Sequence, residues 1–319
     1  MQPADFAAET APASQPVPAA LAAALSPAFL RKLDRLRLVV RHSLSTRTGS
    51  TPMPRGAQGS GIELESHKSY GAGDDLRHLD WNAYGRLDEL LIKTYRAERE
   101  VPLHLFIDTS ASMAFPPADG KFVFALALAA SLAYISLRRN DPVRIVAIGA
   151  ASSQLHFCSP VFRHRHALLP LRDFLLQLRP SGQTKLASGI SGALRQQRTP
   201  GVAVVLSDFL VAPAGYEPGL RELAARGFTI AALRLLGPQE CDPSLLFRRG
   251  QLTDVESGRH RFITLSAANL SCYQRALAAH REQLQRFCNR HEIAYATADT
   301  AAGVDQILFR DLPALGLLR

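Results

Sequence analysis

The chain has 319 residues, enough for one large domain or two modest ones at the usual ~100–200 residues each, and its 47% apolar and 20% charged content excludes a disordered or fibrous polymer. Its 37 basic against 28 acidic side chains give a net charge of +9 and a pI near 9.8. Arginine supplies 32 of the basic residues and positions 101–319 carry +8 of the excess, so nucleic acid and acidic proteins both come into question as partners. Cys158, Cys241, Cys272 and Cys288 show no short metal-ligand spacing, and a chain this long needs no disulfide staples, which points to a reducing cytoplasm. The first thirty residues lack a basic stretch ahead of an apolar one and do not read as a secretory signal.

Residues 1–26, rich in alanine and proline without an apolar period at their start, are assigned to a disordered tail. Phe29, Leu33, Leu36 and Val40 recur at helical spacing and predict an amphipathic helix over 27–41. Gly, Pro, Ser and Thr then break the chain into a loop over 47–61. Short alternation predicts strands over 61–70 and 89–96, flanking a turn-rich block at 71–81, and helix, strands and turn together make an N-terminal appendage over 27–100.

From 101 to 319 the pattern changes. Buried strands are predicted over 103–108, 143–149, 202–207, 228–235 and 293–298, with a short one over 154–158. Helices are predicted over 121–138, 166–178, 186–197, 219–225 and 268–289, with a last one from Val304. Such alternation implies a doubly wound α/β domain whose mostly parallel sheet is covered by helices on both faces, with a hairpin inserted near 241–265. The apolar run 122–137 is shorter than the ~20 residues of a membrane span and reads as a buried core helix.

The chemistry gathers where strands end. Asp108, Ser110 and Ser112 follow the first strand of the domain directly, Thr184 lies in a loop that opens a helix, and Asp208 follows the strand 202–207. In open α/β sheets, ligands bind in the crevice beyond the carboxyl ends of the strands. Five hard oxygen donors without sulfur or imidazole suit Mg2+ or Mn2+ better than zinc, with Ca2+ as a further hard cation. Asp74, Asp75 and Asp80 read as turn caps and cross-links, with Arg77 and Trp81 as anchors, rather than as an acid/base cluster.

Asp-x-Ser-x-Ser after a strand, a later loop threonine and an aspartate after the next buried strand resemble the metal-ion-dependent adhesion site of von Willebrand factor A domains. The resemblance implies that Ser110 and Ser112 ligate the cation directly, Thr184 directly or through water, and Asp108 and Asp208 largely through water. One position would stay open for a partner's carboxylate. Around this set, Gly59-Ser-Gly-Ile-Glu63, the Gly73-Asp74-Asp75-x-Arg77-x-x-Asp80-Trp81 block, Lys93, Glu98-Arg99-Glu100, Ser207-Asp208-Phe209 and Asp254-Val-Glu256-Ser-Gly258 resemble the bacterial family catalogued as domain of unknown function 58. Lys68 and Tyr84-Gly85 depart from that family's usual residues, away from the cation set.

The adhesion-site resemblance implies a non-enzymatic protein-binding module, and the family resemblance a von Willebrand A-like protein. It would work as an adaptor with a MoxR-type AAA+ ATPase, or bind an acidic client, in chaperone-like assembly or maturation of other proteins. No nucleophile elbow, P-loop or Asp-x-Asp phosphatase motif speaks for an enzyme. A basic nucleic-acid binder is the alternative, set back by arginines spread over many elements with no recognition motif. An aspartyl phosphoacceptor at Asp108 ranks third, because it leaves Ser110 and Ser112 without a role.

Overall fold

The computed structural model describes residues 17–39, 63–71, 79–96, 100–149, 156–196, 199–246, 249–256 and 258–319. It divides into two units, residues 43–100 and the remainder. In chain order the first elements are α1 (Ala19–Ala24), α2 (Pro27–Leu33), β1 (Glu63–Ser69), α3 (Trp81–Leu87) and β2 (Leu91–Arg96).

The smaller unit is built on the antiparallel pair β1–β2, whose register shifts between Leu64 and Ser66. Asp80 caps α3 by accepting from the backbone N–H groups of Asn82 and Ala83 at 3.0 and 3.2 Å, the capping role read for it in the sequence. Asp88, in the left-handed region at φ 53°, ends the helix. That cap starts a helix between the expected turn at 71–81 and the expected strand from 89, where periodicity gave no signal. Trp81 is 66% exposed and meets Tyr84 of the same helix edge-on, so it does not serve as a buried anchor. Asp74, Asp75 and Arg77 lie outside the described residues.

α1 and α2 belong to the larger unit, which corrects the disordered tail over residues 17–26 and the appendage drawn at residue 27. Leu21 of α1 and Leu33 and Leu36 at the end of α2 are buried in one core with the long helix of the sheet domain. Ser26 starts α2 by accepting from Phe29 N at 3.3 Å, and Pro27 fills the first helical position, where a missing N–H costs nothing. The helix stops at Leu33, not at 41, because the chain turns to pair with its other end: Arg37 N donates to Arg319 O, and Leu38 bridges Leu318. Residues 1–16 and those from 40 to 62 lie outside the described set.

The elements that follow are β3 (Leu103–Asp108), α4 (Lys121–Arg138), β4 (Val143–Ile148), β5 (His156–Cys158), α5 (Leu168–Gln177), α6 (Leu186–Arg195) and β6 (Val202–Ser207). Next come α7 (Glu217–Ala225), β7 (Thr229–Leu236), α8 (Pro238–Cys241), β8 (Arg249–Thr253), β9 (His260–Thr264), α9 (Ala267–Arg290), β10 (Ala294–Asp299) and α10 (Gly303–Gln306). Six of the strands form a sheet in the order β10-β7-β6-β3-β4-β5, parallel throughout except for β5 against β4. The β8–β9 hairpin falls inside the expected insertion.

Side-chain alternation along the strands makes two cores. Leu103, Leu105 and Ile107 of β3 pack with α4, α5 and the N-terminal helices, whereas Phe106 faces α6, α7 and α9. Every residue of β3, β6 and β7 is buried, as expected for strands covered on both sides. In α4 every residue from Phe122 to Leu137 except Val123 is buried, so this helix is a core element although the stretch 117–138 is long and apolar enough to cross a membrane. The chain leaves β3 outward to β4 and β5, then returns to the other flank of β3 with β6. The reversal opens a crevice at the carboxyl ends of β3 and β6.

Candidate metal-binding site

β3 and β6 deliver their last residues to that crevice side by side. Asp108 is fully buried, and its Oδ1 accepts from Ser110 N at 2.9 Å while its Oδ2 accepts from Ser207 Oγ at 2.5 Å. The Ser207 hydroxyl in turn accepts from Phe209 N at 2.9 Å, so one hydroxyl couples the two strand ends. Ser110 and Ser112 bring their Oγ atoms to 3.0 Å of one another. The loop carrying Thr184 is stitched to the same turn by two main-chain bonds, Ser181 N to Thr109 O and Ala111 N to Gly182 O, at 2.7 and 2.9 Å.

Asp208 completes the set from β6. Its Oδ1 accepts from Leu210 N at 3.0 Å, and its Oδ2 faces the Lys121 ammonium at 3.2 Å. Lys121, the first residue of α4, is itself buried and also meets Glu240 Oε1 of α8 at 2.5 Å. Arg234 of β7, wholly buried, donates from Nε to the Asp208 carbonyl at 3.2 Å. α8 is placed by Asp119, whose carboxylate accepts from Gln239 N and Glu240 N at 3.1 and 3.2 Å. Gly237 is required there, because a Cβ would fall about 2 Å from the Asp119 carboxyl. The structure thus brings Asp108, Ser110, Ser112 and Asp208 together, with the Thr184 loop bonded to them through its main chain.

Burial sets the electrostatics. Asp108 is held well above the usual carboxylate range, first by desolvation and then by the neighbouring negative charge of Asp208. Glu240 is pushed up to about 7, burial outweighing the Lys121 ammonium beside it. Among the described residues Asp208 and Glu240 share a lysine, but Asp108 has no basic side chain in contact. A carboxylate buried without a countercharge, next to two hydroxyls and a second carboxylate, is a donor set that a small hard dication fits. Among the described residues no group of three or more His, Cys, Asp and Glu is poised for a metal, so the candidate set consists of hydroxyls beside two carboxylates.

The family model described as "Protein of unknown function DUF58" matches residues 66–283, a span that includes every residue of this constellation. The chain belongs to this family. The DUF58 chain is 30% identical over 233 residues to the uncharacterised protein Rv1480 of Mycobacterium tuberculosis, which covers 72% of this chain and 71% of that protein. Among solved structures it is similar to the conserved hypothetical protein BatB from Bacteroides thetaiotaomicron, with 16% identity, 68% of this chain and 98% of that one covered, and a TM-score of 0.42. It is also similar to an aerotolerance-related membrane protein from Bacteroides fragilis, with 14% identity, coverage of 67% and 99%, and a TM-score of 0.41.

Sequence reasoning missed Lys121 and Glu240, which pair beside Asp208, and Glu256, whose carboxylate accepts from Thr184 N and Oγ1. Lys121 had a signal, a single lysine opening a helix whose next sixteen positions are almost all apolar. Glu256 stood in a quoted motif but without a role, and Glu240 carried no signal at all. His164 and His166 are exposed and stacked on each other, with ring centroids 5.6 Å apart.

Proposed function

We propose that this DUF58 protein is a non-enzymatic, divalent-cation-dependent protein-binding module of the von Willebrand A-like type. Ser110 and Ser112 would hold Mg2+ directly, with Mn2+ or Ca2+ as alternatives, Thr184 directly or through water, and Asp108 and Asp208 largely through water. The observation that carries the reading is the buried, countercharge-free Asp108 bonded to Ser110 and Ser207 at the point where the strand order reverses. When bound, the cation supplies a Lewis-acidic point that accepts a carboxylate from a partner. The chain's own residues fix the donors: the Ser207 hydroxyl and the Ser110 N–H orient Asp108, and the Lys121 ammonium holds Asp208 in place.

The partner we propose is a MoxR-type AAA+ ATPase or its acidic client, in the cytoplasm, in keeping with the family resemblance and with the +8 carried by residues 101–319. Calorimetric titration with Mg2+ is expected to show one site, weakened by about 100-fold or more in Asp108→Ala while the circular dichroism spectrum is unchanged. Capture of the ATPase is expected with Mg2+ and lost with EDTA or with Asp108→Ala. Equal capture in all three conditions would overturn metal-bridged contact. Binding that falls steeply with salt and ignores the Asp108 substitution would instead favour nucleic acid.

A further inference from the structure

Resting on the cation reading, we infer that Glu256, at the tip of the β8–β9 hairpin, is a positioning residue of the site, acting through Thr184. Both of its carboxylate oxygens are spent on that one residue: Thr184 Oγ1 donates to Oε1 at 2.7 Å, and Thr184 N donates to Oε2 at 3.2 Å. A hydroxyl can ligate a cation only through a lone pair, so its proton must be taken elsewhere. Glu256 takes it, and leaves the Thr184 oxygen free to face a cation or the water bound to one. Carboxylates that accept from a ligating group commonly do this, and their loss typically costs 10–100-fold in affinity.

The hairpin tip is shaped for the task. Asp254 Oδ1 accepts from Glu256 N at 3.0 Å, Gly258 N closes back on Asp254 O at 2.8 Å, and Gly258 takes the left-handed φ of 70° that this turn demands. Neither β8 nor β9 contains a buried residue, and a two-stranded hairpin is marginal in water by itself. The order of the hairpin and the occupancy of the site are therefore coupled through the Glu256–Thr184 pair, in both directions.

The test uses the full chain. Mn2+ binding is followed by the electron paramagnetic resonance of the free ion in wild type, Glu256→Gln and Asp108→Ala, and amide exchange over 249–264 is measured with and without Mg2+. Glu256 is only half-buried, so Glu256→Gln is expected to keep the wild-type melting curve. It should bind Mn2+ about tenfold more weakly. In wild type, Mg2+ should slow exchange at the hairpin tip, and in Glu256→Gln it should not. Unchanged Mn2+ affinity in Glu256→Gln, or hairpin exchange that ignores Mg2+ in wild type, overturns the inference and leaves the cation site standing. Absence of Mn2+ binding in wild type removes both.

Discussion

At the scale of single residues, buried polar groups away from the cation site have consequences of their own. His104 on β3 is buried edge-on against Phe228, and its imidazole is lowered to about 4, chiefly by desolvation and then by Arg144. Because the folded value lies below the unfolded one near 6.5, the unfolded chain binds the extra proton between those values. Stability is therefore complete above about pH 6.5 and is lost as pH falls toward 4, by up to about 3 kcal/mol. His104→Phe should flatten urea-melting midpoints across that window; an unchanged acid limb would refute the assignment. Gly201 makes a different demand, since a Cβ there would fall 2.1 Å from Pro102 O, where Val202 N pairs at 2.8 Å. Gly201→Ala is expected to cost about 1–3 kcal/mol in denaturant titration.

At the scale of elements, periodicity and strand ends were enough to locate most of the larger unit. β3, α4 and β6 have the boundaries read from the sequence because each is a nearly pure apolar run closed by a polar or glycine residue. The strand-end position of the candidate residues was legible for the same reason: Asp108 and Asp208 are polar residues placed directly at the ends of such runs. What could not be read is made by contacts distant in sequence. α1 is six residues long, too short to hold as an isolated helix, and it forms because fully buried Leu21 packs on α4. Leu21→Ala should therefore destabilise the sheet unit by about 2–5 kcal/mol, although it alters a segment that composition assigns to a tail. Lys121 and Glu240 lie 119 residues apart, and no local pattern could pair them.

At the scale of the whole molecule, the sheet has two wings, β4–β5 on one side of β3 and β7–β10 beyond β6, and they meet at the β3–β6 seam. The Ser207–Asp108 bond crosses that seam between residues 99 positions apart. The proposed cation would bind the native state alone and would stabilise it by mass action, by about 2.7 kcal/mol at a hundredfold excess over Kd. Mg2+ should thus raise the thermal midpoint of wild type and leave Asp108→Ala unmoved, with a shift in both proteins counting against the site.

The same seam has a kinetic meaning. β3 and β6 must pair before Asp108 and Asp208 stand together, and contacts of such long sequence separation close late because loop-closure entropy must first be overcome. Capture of the ion would then come after the transition state, slowing unfolding without hastening refolding. On the proposed reading, a chain interrupted before β6 would display apolar strands without the cation site, so cation binding would report that the β3–β6 seam has closed.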